Sequence, residues 1–103
     1  MKNVFASIPE DLDHEFFELL LHNDKVKIER IVSMGHTSPD SGWHDQEGDE
    51  WVLVLQGAAI ICFENNGDVC LGAGDHITIT AHTKHRVKWT DPEIKTIWLT
   101  MHF

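Results

Sequence analysis

The sequence predicts an all-β chain, an antiparallel sandwich or barrel, preceded by one N-terminal α-helix. Three observations predict it. Apolar runs with period-two alternation recur at roughly eight- to twelve-residue spacing from Val26 onward. Turn-forming clusters part these runs, among them "HTSPDSG", "NNGD", "AHTK" and "DPEI". No helical stretch lies between the runs, which argues against a parallel α/β fold. A length of 103 residues fits one domain. It divides into an N-terminal helical extension, residues 1–25, and a barrel, residues 26–103.

The helix is expected near residues 10–21, packed outside the barrel. Ser7 is placed to cap it, with Pro9 early and Glu10 three residues after the serine. Leu12, Phe16, Leu19 and Leu20 form one apolar stripe. Asp11, Asp13, Glu15 and Glu18 form an acidic face. In "KVKIERIVSMG" the alternation starts at Val26 and Ile28 and slips phase at Ile31, which predicts a bulge. "EWVLVLQG" and "AAIICFE" read as two strands parted by Gly57, and "NNGD" as a hairpin turn. "VCLGAGD" carries a strand into a glycine-rich turn. "GAGD" lacks the third glycine of a nucleotide-binding loop, and no helix follows it. "HITITA", "HRVKWT" and "KTIWLTMHF" are the remaining strands.

The formal net charge of −9, from 17 acidic and 8 basic residues, sets the chain against nucleic acid and anionic membranes, whose phosphates need Lys and Arg. The N-terminus has no basic region followed by an apolar run, and no segment is long and apolar enough to span a bilayer. Cys62 and Cys70 flank the "NNGD" turn and could face each other across a hairpin. Two reduced thiols in a cytoplasmic protein is the preferred reading, because a disulfide scaffold carries more cysteines.

The chemistry concentrates in two places. Along "EWVLVLQ", Glu50 shares a face with Val52 and Val54, and Trp51, Leu53 and Leu55 take the other. Both faces are apolar, so Glu50 begins a covered strand, and a buried carboxylate needs a partner or a cation. His44 and Gln46 lie two apart and project together in extended chain. Along "HRVKWT", His85, Val87 and Trp89 share one face, and Arg86, Lys88 and Thr90 the other, so His85 points inward. These donors suit a divalent transition metal, with iron, manganese, nickel or zinc favoured over calcium. A packed histidine, a hydrogen-bonded glutamate and a loop pair would leave the same pattern.

The spacing resembles that of the cupin superfamily, small jelly-roll barrels. The first cupin motif ends in a Glu, six residues and a Gly, as Glu50 and Gly57 do here. His44 falls on its first histidine and Gln46 on its second. Gly74, five residues, "TAH", two residues and His85 follow the spacing of the second motif, with Thr80 where Pro is usual and His82 where Gly is usual. "GAGDHITITAHTKHRVKW" also looks like the cupin stretch that runs from a Gly-Asp turn into a His-Arg-Val strand. The resemblance covers roughly residues 26–103 and is nearest to small stand-alone bacterial cupins.

The resemblance implies an antiparallel jelly roll and a metal held by His44, Gln46, Glu50 and His85. His82 is a possible substitute for Gln46. The phosphomannose isomerase branch of the superfamily uses a glutamine ligand. Trp43, His76, Trp89 and His102 are candidates to line a ligand pocket. The resemblance also implies a homodimer, with the apolar helix face and the strand "KVKIERIV" as contacts. Three functions are compatible: a metal-dependent enzyme of dioxygenase or isomerase type, a non-catalytic module that binds a small molecule, and a metal-free structural barrel. No Ser-His-Asp order, nucleophile elbow or HExxH supports a hydrolase.

Overall fold

The computed structural model describes residues 1–103. Eight strands run in chain order: β1 (Phe16–His22), β2 (Lys27–Ser33), β3 (Glu50–Gln56), β4 (Ala58–Phe63), β5 (Gly67–Gly72), β6 (His76–Ile79), β7 (His85–Thr90) and β8 (Thr96–His102). They form a five-stranded sheet, β1-β2-β8-β3-β6, and a three-stranded sheet, β5-β4-β7. Every pairing is antiparallel. The core lies between the sheets: Val52, Val54, Ile79 and Trp98 from the larger meet Ala59, Ile61, Phe63 and Leu71 from the smaller.

β3 and β4 are consecutive in sequence but belong to different sheets, and the chain turns the corner at Gly57. Its φ is +88°, and a Cβ there would collide with Thr96 Oγ1 and lie 2.7 Å from Thr96 Cα. Only glycine fits this corner.

The expected N-terminal helix is absent. The run "FFELLLH" forms β1, paired with β2 at the edge of the larger sheet. Its apolar residues satisfy period two as readily as period 3.6, so pairing with β2 decides the outcome. Ser7 is not a helix cap; it sits at φ +56°. Residues before β1 cross the outer face of the sheet, where Arg30 holds them. Its guanidinium donates to the carbonyls of Val4, Ala6 and Ser7 and pairs with Glu18 at 2.9 Å. Lys95 Nζ donates to the Pro9 carbonyl on the same side. This cover explains why Arg30, Val32 and Ile97 are buried on the face turned away from the core.

The bulge is not at Ile31. β2 pairs with β8 without a break, and the register shift falls in β1 between Leu19 and Leu21. β2 lies between β1 and β8, so both its edges are taken and it has none to offer a second copy. Cys62 stands opposite Asp68 and Cys70 opposite Ile60, so the cysteines are not cross-strand partners, and both are free.

Candidate functional site

The larger sheet turns a graded face to the interior. Cross-strand register sets Lys27, His102, Glu50 and Ile79 in one row. Glu29, Thr100 and Val52 form the next row, and Ile31, Trp98 and Val54 the one after. Polar side chains therefore give way to apolar ones along the sheet. Facing them from the smaller sheet are Ile61, Val87 and His85, and between the sheets lies a cavity of about 390 Å³.

Glu50 is 8 % exposed, and His85 is buried opposite it. His85 Nδ1–H donates to the Thr83 carbonyl at 2.7 Å, which turns Nε2 toward the cavity. Nε2 then lies 3.6 Å from Glu50 Oε1. Burial pulls the His85 pKa down, but the neighbouring Glu50 carboxylate and the Thr83 carbonyl together hold it above the ordinary 6.5. On the other side, His102 Nε2 lies 3.5 Å from Glu50 Oε2 and 3.7 Å from Glu29 Oε1. Glu29 Oε1 is in turn 3.4 Å from Lys27 Nζ. The result is an alternating chain of acids and bases along the cavity wall.

His44 and His85 exchange backbone hydrogen bonds of 2.8 and 3.2 Å, and their ring centroids are 5.7 Å apart. His44 Nε2 is 3.3 Å from Ser38 Oγ. Gln46 also lines the cavity, so all four residues at the motif positions border one space. His82 does not join them. At φ +61° its ring turns outward onto Asp45, 2.8 Å away.

Of the pocket candidates, only His102 lines this cavity. The Trp43 ring lies under the Arg86 guanidinium at 4.7 Å. His76 sits on the outer face, where it accepts a hydrogen bond from Trp51 Nε1. Period-two alternation puts Trp89 beside His85 and Val87, but a register shift between β4 and β7 sets Ile60 opposite Trp89 and Ile61 opposite Val87. That shift turns Trp89 outward, where it is 38 % exposed.

Lys27, Glu29 and Thr100 escaped the sequence reading. Lys27, Glu29 and Ile31 alternate along β2 on the inner face, a pattern that the phase slip expected at Ile31 conceals.

The family model described as "Cupin domain" matches residues 30–102. The chain belongs to the cupin family. A proposed mannose-6-phosphate isomerase from Ralstonia eutropha JMP134 is 41 % identical with a TM-score of 0.94, covering 99 % of this cupin and 95 % of that chain. A cupin superfamily protein from Desulfitobacterium hafniense DCB-2 is 22 % identical with a TM-score of 0.77, covering 93 % of this chain and 83 % of its own. An RmlC-like cupin from Desulfovibrio desulfuricans is 18 % identical with a TM-score of 0.76, covering 99 % and 94 %. No curated protein matches. No helix of this cupin is long and apolar enough to cross a membrane.

Cupins commonly hold a metal, and the donors here fit one in kind. Two imidazoles, a carboxylate and an amide border one cavity, and the Thr83 carbonyl, by accepting from His85 Nδ1–H, leaves Nε2 as the nitrogen turned toward the cavity. They are not gathered around a point: no three His, Cys, Asp or Glu side chains stand close enough together to hold an ion.

Proposed function

We propose that this cupin binds a small polar molecule between its sheets, holds a divalent transition metal there through His44, Gln46, Glu50 and His85, and acts as an isomerase-type enzyme. The observation that carries the reading is Glu50, a buried carboxylate flanked by two imidazoles at a cavity wall. The Ralstonia relative, itself a proposed sugar-phosphate isomerase, supports isomerase over dioxygenase chemistry. The metal, when bound, supplies Lewis-acid polarisation of a ligand oxygen. His102 does the proton work: its Nε2, between Glu29 and Glu50, is placed to take or return a proton at the ligand. Ile31, Ile61 and Trp98 form the apolar end that keeps water from the ligand. Cys62 and Cys70 as free thiols fit a reducing compartment such as the cytoplasm.

Metal analysis of protein purified without chelator tests the reading. Uptake of about one ion per chain, abolished in His85→Ala and tightened in Gln46→His, is the expected result. Turnover of an aldose–ketose panel then separates an enzyme from a binding module. A metal-free binding barrel is the second reading, favoured by donors that are not drawn together. No uptake at neutral pH decides for it.

A further inference from the structure

His44 and Gln46 reach the cavity from a segment that lies between β2 and β3 and belongs to neither. Its two ends are fastened. His44 exchanges backbone hydrogen bonds with His85 at the start of β7, and Asp49 exchanges two of 3.0 Å with Phe103, just after β8. The Asp49 carboxylate also accepts from Ala81 N–H at 2.8 Å. Between these ends, Asp45 and Gln46 share one hydrogen-bonding partner, His82. Its backbone N–H donates to the Gln46 carbonyl at 2.8 Å, and its ring Nδ1 lies 2.8 Å from Asp45 Oδ1. A carboxylate only accepts, so Nδ1 carries the proton and donates it.

The contact has a direction. Successive side chains of extended backbone alternate. His44 and Gln46 line the cavity, and Asp45, between them, is turned onto His82 outside it. Holding Asp45 outward therefore keeps both neighbours inward. His82 itself sits in left-handed backbone at φ +61°, where glycine fits best and asparagine is tolerated. A turn alone would be served by glycine, whereas only a side chain can reach Asp45.

We propose that His82 is a positioning residue for the site: by holding Asp45 outward and the Gln46 carbonyl in place, it keeps the His44 and Gln46 side chains facing the cavity. The proposal rests on the reading of that cavity as a metal site.

Two variants of the full chain separate this role from turn formation. His82→Gly suits the backbone and has no side-chain donor. His82→Asn tolerates the same backbone, and its amide N–H can take the place of Nδ1–H. Both side chains of the pair are exposed, so the contact is a modest one. In metal-free protein, hydrogen exchange at the His44 and His85 amides should speed up about two- to fivefold in His82→Gly, relative to amides of β2 and β8. It should keep the parent rate in His82→Asn. Zn(II) affinity should fall by a similar factor in His82→Gly and be retained in His82→Asn. Asp45→Ala should match His82→Gly, and the double variant should be no worse than either. Parent-like exchange or parent-like Zn(II) affinity in His82→Gly means that the residue serves only its turn, and overturns the proposal. Equal losses in His82→Gly and His82→Asn, or losses that add in the double variant, overturn it as well. A parent that takes up no Zn(II) removes the metal reading, and the exchange rates then decide by themselves for or against His82.

Discussion

Glu50 and His102 are cross-strand partners on β3 and β8, and the carboxylate reaches the imidazole at 3.5 Å. The same carboxylate meets His85 across the cavity. Glu50 therefore joins the two sheets electrostatically at the point where the family places a metal ligand. Glu50→Gln should abolish metal uptake and leave both imidazoles without their anion. A variant that still takes up metal like the parent would remove Glu50 from the site.

In metal-free protein, the raised pKa of His85 has a definite sign. A histidine whose folded pKa exceeds its unfolded value binds its proton more tightly when folded. That stabilisation is complete below the unfolded pKa, near 6.5, and disappears as pH rises through the folded value. Chelated protein should thus lose some stability across that window, and Glu50→Gln should flatten the loss. NMR titration of the His85 ring should give a midpoint above 6.5 in the parent and a lower one in Glu50→Gln. Equal midpoints would dismiss Glu50 as the cause.

Gly57→Ala should destabilise the fold by about 1–3 kcal/mol from the left-handed backbone alone. The Cβ contact with the Thr96 backbone at 2.7 Å should push the loss toward the top of that range. Urea denaturation measures it. Gly67→Ala is the control, because it has a positive φ and open space around its Cβ position, so it carries the backbone cost without the clash.

Arg30→Met should release the N-terminal segment. The guanidinium donates to three carbonyls, and hydrogen bonds to charged groups contribute about 1.5–3 kcal/mol each at most. Limited proteolysis should cut residues 1–15 faster in the variant than in the parent, while strands β2 to β8 stay protected. Unchanged cleavage would mean that other contacts hold the segment.

β1 is an edge strand with Phe17, Leu19, Leu20 and Leu21 all exposed. Apolar edges are normally covered, and we expect a second copy to pair there, edge to edge. Sedimentation at micromolar concentration should show a dimer, and Leu21→Lys should shift it toward monomer. A parent that sediments only as monomer removes the expectation.

Most of the strands were legible because their signals are local. Gly57, "NNGD" and the alternation from Glu50 to Gln56 depend on near neighbours, and so does the inward facing of Glu50 and His85. What was hidden depends on partners distant in sequence. β1 carries a run compatible with helix or strand, and β2 decides between them. Trp89 obeys the period-two rule until the register against β4 shifts, which no reading of β7 alone could reveal. Nothing near Glu29 in sequence marks it as a cavity residue, because His102, which it approaches at 3.7 Å, lies in the last strand.

The strand order has a consequence for synthesis. β8 comes last among the strands yet lies between β2 and β3. Until residues 96–102 have left the ribosome, β2 and β3 each have an unpaired edge and the larger sheet cannot close. The smaller sheet, β5-β4-β7, is complete before that. His102 arrives with β8, so before residues 96–102 emerge the nascent chain has no finished cavity, and its open edges are exposed to aggregation or to a holding chaperone.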